Sequence, residues 1–129
     1  MAGNAGIGGM ARDFYRRILK HYQNDAAWLF EQRDTYNARN PRFNPKDDTM
    51  WTFEPRVASR VYSEMLAEAE ITPILEERLD RANGVKKNGP RIVSITTESG
   101  STFAGRVFID ATYEGDLMAR AEVPYAFGR

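Results

Sequence analysis

The sequence predicts an α/β fold that combines a partly parallel sheet, a β-meander and two long helices. Three observations support this fold class. Two amphipathic helical patterns lie in the first half of the chain, short β-type runs separated by Gly-containing turns follow, and a densely apolar run then leads into another helix start. Elements in this order are typical of a sheet covered by helices.

The first helix is predicted from Gly9 to about Tyr22. Its apolar residues recur at every fourth position, at Met10, Phe14, Ile18 and Tyr22. Charged side chains occupy the opposite side, so we expect one face of the helix to be buried. His21, the single histidine, lies at the end of this helix and is interpreted as structural or solvated.

Residues 23–53 are predicted to form a long polar loop or lid insertion, interrupted by a short helical turn around residues 26–32. Asn, Asp and Pro are frequent, and pairs such as Asn40-Pro41 argue against regular structure. Unbroken loops of this length are usually lids, binding loops or disordered segments.

A second helix is predicted from Pro55 to about Ala69. Proline suits the first turn of a helix, and the charge of the preceding Glu54 favours a helix N-terminus. Val57 and Val61 lie on its apolar face.

The rest of the chain is interpreted as strands. Residues 71–79 are predicted to form a strand that returns to a sheet. A meander follows, in which turns at residues 83–84, 88–90 and 99–100 separate a short strand from a second strand at residues 92–97.

The last predicted strand covers residues 102–111. Val107, Phe108 and Ile109 are consecutive, which fits burial on both faces of the strand. A helix is expected to begin near Leu117.

Composition excludes several classes of function. Lys and Arg number 18, as do Asp and Glu, so no excess positive charge attracts nucleic acid or acidic lipid. The absence of cysteine excludes disulfides and thiolate chemistry. No apolar run is long enough to span a membrane, and the first residues lack a secretory signal pattern, so a cytoplasmic location is expected.

The segment from Asp110 to Asp116 is the main candidate site. Ligands of open α/β sheets bind beyond the carboxyl ends of strands, where this segment is predicted to lie. Ala111 and Thr112 are small enough for a ligand to approach the backbone, and Gly115 can adopt dihedral angles closed to other residues.

Three acids in the segment, Asp110, Glu114 and Asp116, favour a ligand with sugar hydroxyls over bare phosphate, because a carboxylate accepts hydrogen bonds. One alternative stays open, in which Asp116 caps the helix, Asp110 ends the strand and Glu114 is solvated. A divalent metal site built from the three acids is set aside, because no histidine is near and the spacing matches no known ligand loop.

A family resemblance adds to these observations. The runs WTFEPRVASRVYSEMLAEAEI and FIDATYEGDLMA, with ERLD between them, resemble FAD-dependent oxidoreductases of the glutathione-reductase-like superfamily. The resemblance implies FAD as cofactor, a small-molecule substrate, and hydride transfer between substrate and flavin. It also implies a partly Rossmann-like FAD-binding sheet with a substrate region interleaved.

The resemblance assigns six residues to the FAD site: Leu79, Asp110, Ala111, Thr112, Gly115 and Asp116. The backbone at Leu79 would lie by the adenine, the end of the last strand by the diphosphate, and Gly115 and Asp116 by the ribityl chain. No catalytic residue is assigned, because the flavin itself carries the hydride chemistry.

The glycines at positions 3, 6, 8 and 9 do not form the G-x-G-x-x-G turn with which such enzymes begin, and no strand precedes them. We therefore expect the 129 residues to be an internal fragment of one FAD-binding domain whose N-terminal βαβ unit is missing. The fragment alone is expected to bind FAD poorly.

Several side chains of the long loop are further candidates. Six aromatic residues could line a substrate or flavin pocket, although several of them are expected instead to anchor the loop onto the core: Trp28, Phe30, Tyr36, Phe43, Trp51 and Phe53. Arg33, Arg39 and Arg42 could pair with an anionic substrate, although loop arginines are usually solvated.

Two rival functions stay open. The chain could be a non-enzymatic α+β interaction domain that binds a partner through the loop, or a nucleotide-binding relative without redox activity. The sequence does not specify the oligomeric state.

Overall fold

The chain divides into two compact units, Met1–Pro73 and Ile74–Arg129. The computed structural model describes residues 6–41 and 43–126. The first unit contains the helices α1 (Gly9–Tyr22), α2 (Arg33–Arg39) and α3 (Pro55–Glu68), and a short 3-10 helix at Asp25–Ala27. The second contains the strands β1 (Val85–Asn88), β2 (Arg91–Thr96) and β3 (Thr102–Ala104), followed by the helix α4 (Asp116–Arg120).

The core of the first unit lies between α1 and α3. Phe14 and Ile18 of α1 pack in one cluster with Val57 and Val61 of α3, and Ile18 and Val61 are almost completely buried. The predicted apolar faces of both helices are confirmed at these positions. The prediction is wrong for Met10, which continues the same stripe but is 81% exposed.

The start of α3 is fixed by its local sequence. Pro55 is the first helical residue, as predicted. Proline has no backbone N–H, but an N–H at this position would have no acceptor inside the helix, so no helical hydrogen bond is lost. Tyr22 holds this end against α1, because its hydroxyl donates to the Glu54 carboxylate at 3.1 Å and accepts from the Glu54 N–H at 3.1 Å.

The segment 23–53 contains more regular structure than the sequence predicts. Asn24 caps the 3-10 helix through a 3.0 Å hydrogen bond from the Ala26 N–H to its side-chain oxygen. The prediction did not include α2. Asp34 in its first turn and Arg39 in its last turn suit the helix dipole, and the C-cap Asn40 directly precedes Pro41.

The second unit is built on a three-stranded antiparallel sheet in the order β1-β2-β3. Val85 pairs with Ile95, and Ser94 pairs with Ala104. The predicted meander is therefore confirmed. Gly89 and Gly100 make its two turns possible, because both have positive φ angles.

The strand predicted at residues 71–79 is wrong. Only Leu79 pairs, in an isolated bridge with Thr97. Pro73 has no N–H to donate to a sheet, and Glu76 has a φ angle of 61°, which interrupts an extended chain. Ile74 is consequently 66% exposed.

The last strand is also shorter than predicted. β3 ends at Ala104, whereas the prediction extended it to residue 111 and buried both of its faces. Val107 is 77% exposed and Ile109 84% exposed. A doubly buried strand needs neighbours along both edges and over both faces, and no described segment supplies them. The described residues therefore contain no parallel strand pair.

No helix in the described ranges combines the length and apolar character needed to span a membrane.

Candidate functional site

The loop that leads into α4 is organised around the side chain of Asp110. One carboxylate oxygen accepts hydrogen bonds from the Thr112 N–H at 3.0 Å and the Thr112 hydroxyl at 2.6 Å. The other oxygen accepts from the Met118 N–H at 2.9 Å. The Thr112 hydroxyl in turn accepts from the Gly115 N–H at 3.0 Å. Asp110 therefore closes the loop and caps the first turn of α4 from a distance in sequence.

These hydrogen bonds also set the charge of Asp110. The Thr112 hydroxyl, followed by the Met118 and Thr112 N–H groups, stabilises the ionised carboxylate and lowers the pKa of Asp110 below its usual range. The carboxylate is thus ionised at neutral pH. Both of its oxygens accept hydrogen bonds within the loop, so the main role of Asp110 is to hold the backbone of the loop in this conformation.

Gly115 allows the chain to turn into α4. It is the N-cap residue and has φ 67° and ψ 36°, in the left-handed region that glycine adopts most readily. A Cβ atom at this position would lie 3.3 Å from the Met118 Cε atom. The sequence prediction that Gly115 has a special backbone conformation is confirmed.

Asp116 is the first residue of α4 and is not its N-cap. The alternative in which Asp116 caps the helix is therefore wrong, because the side chain that bonds the first turn is that of Asp110. The Asp116 carboxylate lies 4.0 Å from the guanidinium group of Arg81.

The backbone of the loop is accessible to a ligand. Ala111, Thr112, Tyr113 and Glu114 are exposed. Within the described residues, the N–H groups of Ala111, Tyr113 and Glu114 donate to no acceptor. Adjacent unpaired N–H groups suit phosphate oxygens. The loop therefore offers hydrogen-bond donors to an anionic ligand through its backbone, whereas the Asp110 carboxylate is engaged within the loop.

Leu79 offers a second accessible backbone position. Its bridge with Thr97 is made by neighbouring residues, through the Asp80 N–H to the Thr96 carbonyl at 3.0 Å and the Glu98 N–H to the Arg78 carbonyl at 2.8 Å. The N–H and C=O of Leu79 itself have no hydrogen-bond partner in the part of the chain that the structure describes. A free donor beside a free acceptor suits the edge of adenine, which carries an amino group next to a ring nitrogen.

The structure brings five of the six predicted site residues into one loop, and places Leu79 outside it in the same unit. The ion pair between Arg81 and Asp116 connects the segment after Leu79 with the start of α4. Sequence reasoning missed Arg81, and it also missed Lys87, whose Nζ donates to the Ala121 carbonyl at 2.7 Å. No local pattern marks either residue, because each acts through a partner distant in sequence.

The loop arginines have different environments. Arg33 pairs with Asp25 at 2.7 Å and lines a cavity of the first unit, together with four of the six aromatic candidates. Arg39 pairs with Glu31 at 2.5 Å. Arg42 lies outside the described residues.

His21 accepts a 2.6 Å hydrogen bond from Arg60 at Nδ1. Burial, and then the positive charge of Arg60, lower the pKa of His21. The ring is therefore neutral at pH 7. It joins the last turn of α1, to which His21 belongs, to Arg60 on α3.

No group of three or more His, Asp or Glu side chains in the described ranges is arranged to hold a metal ion.

Comparison with protein families gives a match over residues 1–129 to the family described as FAD dependent oxidoreductase. FAD is the cofactor that this family indicates. No curated protein and no solved structure matches the chain significantly.

Proposed function

Because the chain belongs to the FAD-dependent oxidoreductase family, we propose that it forms part of an enzyme that transfers hydride between a small-molecule substrate and FAD. The bound flavin supplies the hydride chemistry, and the chain contributes binding and orientation. The observation that carries the assignment to this part of the chain is the Asp110 loop, which presents three backbone N–H groups without an acceptor among the described residues, next to the left-handed Gly115.

Each residue of the site has a separate role. The N–H groups of Ala111, Tyr113 and Glu114 would bind the diphosphate, while Thr112 and Asp110 hold the loop in shape. Gly115 and Asp116 would lie toward the ribityl chain. The backbone N–H and C=O of Leu79 would bind the adenine edge.

We further propose that residues 105–111 belong to a larger, Rossmann-like sheet of the glutathione-reductase type in the complete enzyme. Exposed apolar side chains at Val107 and Ile109 support this, since such side chains are normally covered. Residues 1–129 would then be one part of a single FAD-binding domain, with residues 23–53 as an insertion. A cytoplasmic location and the absence of a nucleic-acid partner stay predictions from the composition.

Flavin content tests this function directly. Protein produced from the complete coding sequence is expected to be yellow and to release FAD on denaturation. Gly115→Ala should reduce the flavin content strongly, because a side chain disfavours the left-handed conformation and crowds Met118.

Gly100→Ala is the matched control. Gly100 also has a positive φ angle, of 89°, but it lies in the turn between β2 and β3. The same backbone strain should therefore lower stability there without removing flavin. A colourless protein that does not retain added FAD would contradict the proposed function and favour a non-enzymatic interaction domain.

A further inference from the structure

We propose that the first unit contains a second binding site, for a neutral planar ring compound that carries a carbonyl oxygen. The site is the cavity lined by α1, α2 and the irregular segment 43–52. It involves none of the residues assigned to FAD, and its ligand can be tested without the flavin.

The cavity has the size and the wall of a small-molecule site. Its volume is about 290 Å³, close to the lower end of ligand pockets at roughly 300 Å³. Trp28, Tyr36, Phe43 and Trp51 line it. Trp28 and Tyr36 contact each other, with ring centroids 5.2 Å apart, and flat aromatic walls favour a flat ligand that can stack on them.

Two hydrogen-bond donors of the lining have no acceptor. The indole Nε1–H of Trp51 and the guanidinium Nε–H of Arg33 are buried, and nothing in the described ranges accepts from them. Trp28 is different, because its indole N–H donates to the Tyr22 carbonyl at 2.9 Å. Buried donors are nearly always paired in folded proteins, so two donors that line one cavity without an acceptor among the described residues favour an acceptor supplied by a bound molecule.

The charges of the cavity favour a neutral acceptor over an anion. Arg33 is already paired with the Asp25 carboxylate at 2.7 Å. Asp47, which also lines the cavity, brings a negative charge of its own and accepts from the Asn44 amide at 3.0 Å. A carboxylate ligand would meet this second acid, whereas a ring carbonyl offers an acceptor to these donors without the repulsion.

Ligand entry requires a small rearrangement of the wall. Both free N–H groups are covered by neighbouring side chains, so a carbonyl oxygen reaches them only when part of the lining moves. Residues 43–52 contain neither helix nor strand, and loops of this kind adjust more readily than regular elements.

Nitrogen-edited NMR of the flavin-free chain tests the site, because the chain has only two tryptophans and both line the cavity. We choose 1-methyl-2-pyridone as the probe, since it is planar and neutral, with a carbonyl acceptor and no donor. Titration should move the Trp51 indole N–H and the Arg33 Nε–H resonances downfield, and the change in chemical shift should reach a plateau as the site fills. The Trp28 indole resonance should move much less.

Two further probes define the ligand class. Anisole has a ring of similar size without a carbonyl, and benzoate replaces the carbonyl by a carboxylate. Both should bind more weakly than the pyridone. If benzoate binds more tightly, or if none of the probes moves the Trp51 resonance while water alone fills the cavity, the inference is overturned.

Conservative variants separate recognition from folding. Trp51→Phe keeps a ring but removes the donor, and Arg33→Lys keeps the charge but removes the Nε–H; each should weaken pyridone binding by about three- to tenfold. Arg39→Lys is the matched control on the same helix, because Arg39 does not line the cavity. Equal affinities for Arg33→Lys and Arg39→Lys, in chains that give folded spectra, would contradict a role for the free donor. Flavin content of the complete protein is a separate readout, so failure here leaves the oxidoreductase assignment untouched.

Discussion

At the scale of single residues, Asp110 decides the shape of the candidate FAD loop. Its carboxylate bonds backbone on both sides of Gly115, at Thr112 and at Met118. One acid thus ends the preceding segment, closes the turn and caps α4. An acid can therefore stand at a site proposed to bind a negatively charged cofactor, because both oxygens of the Asp110 carboxylate accept hydrogen bonds from the loop itself.

Asp110→Asn should destabilise the second unit. The amide keeps one acceptor oxygen but turns an NH₂ donor toward a backbone N–H that needs an acceptor. We therefore expect the free energy of unfolding to fall by about 1 kcal/mol, as is typical of a helix-cap substitution. Urea unfolding followed by circular dichroism measures the change. Glu114→Gln is the control, because it makes the same chemical change at an exposed position in the same loop; an equal loss in both variants would show that the Asp110 hydrogen bonds contribute nothing.

The same side chain gives a pH prediction. The pKa of Asp110 is lowered in the folded state by the Thr112 hydroxyl and the Met118 N–H, so its ionisation stabilises the folded chain above the ordinary value of 3.8. That stabilisation is lost as the pH falls through the folded-state pKa. The gap in urea midpoint between wild type and Asp110→Asn should therefore be full at pH 6 and should narrow below pH 3.8; a constant gap would contradict the assigned hydrogen bonds.

At the scale of elements, the turn between β2 and β3 is fixed to the irregular segment before β1 by Glu77. The hydroxyls of Thr97, Ser99 and Ser101 all donate to the Glu77 carboxylate. The hydroxyls of Ser99 and then Thr97 lower the pKa of Glu77, which keeps the acceptor ionised. This cluster attaches Glu77 to the hairpin by side-chain hydrogen bonds, where the sequence predicted a strand ladder.

Glu77→Gln should loosen this hairpin locally. The amide offers one acceptor oxygen in place of two, so at least one hydroxyl loses its partner. Amide hydrogen exchange at Gly100 and Ser101 should accelerate relative to wild type. Glu98→Gln is the matched control in the same hairpin, since the contact of the Glu98 carboxylate is a long ion pair with Arg78, at 3.7 Å. Comparable acceleration in both variants would refute a special role for Glu77.

The pairing of α1 with α3 carries the core of the first unit. Ile18→Ala should lower the free energy of unfolding by about 3 kcal/mol, because Ile18 is fully buried and truncating its side chain leaves a cavity. Met10→Ala lies on the same helical stripe and should cost less than about 0.5 kcal/mol, since Met10 is 81% exposed. Urea unfolding of the two variants checks the difference, and similar losses would mean that another partner covers Met10 in solution.

At the scale of the whole molecule, the chain is a family member with few of the features that hold an entire dinucleotide. It has no G-x-G-x-x-G turn, and its described strands are antiparallel. The 129-residue chain should therefore bind FAD only weakly, with a Kd above about 1 µM. Isothermal titration of FAD into the chain measures this, with FMN as the control for the adenosine half, and submicromolar binding of FAD would contradict the prediction.

The sequence by itself determined the features that depend on local physics. The amphipathic period specified α1 and α3, Pro55 and Glu54 marked the start of α3, and glycine-containing turns specified the meander. The left-handed Gly115 was predictable because few other residues adopt that conformation. The assignment of Asp110, Ala111, Thr112, Gly115 and Asp116 to the FAD site came from the family resemblance, and their contact with FAD stays a prediction.

Only the tertiary structure decided which apolar runs become strands. A strand exists when a partner accepts its backbone hydrogen bonds, and residues 71–79 and 105–111 find no ladder in the described ranges despite their composition. Side-chain pairs were equally invisible in sequence, such as Asp110 with the Met118 N–H and, over a longer separation, Arg81 with Asp116. The unpaired donors of Arg33 and Trp51 emerge only when residues distant along the chain line one cavity.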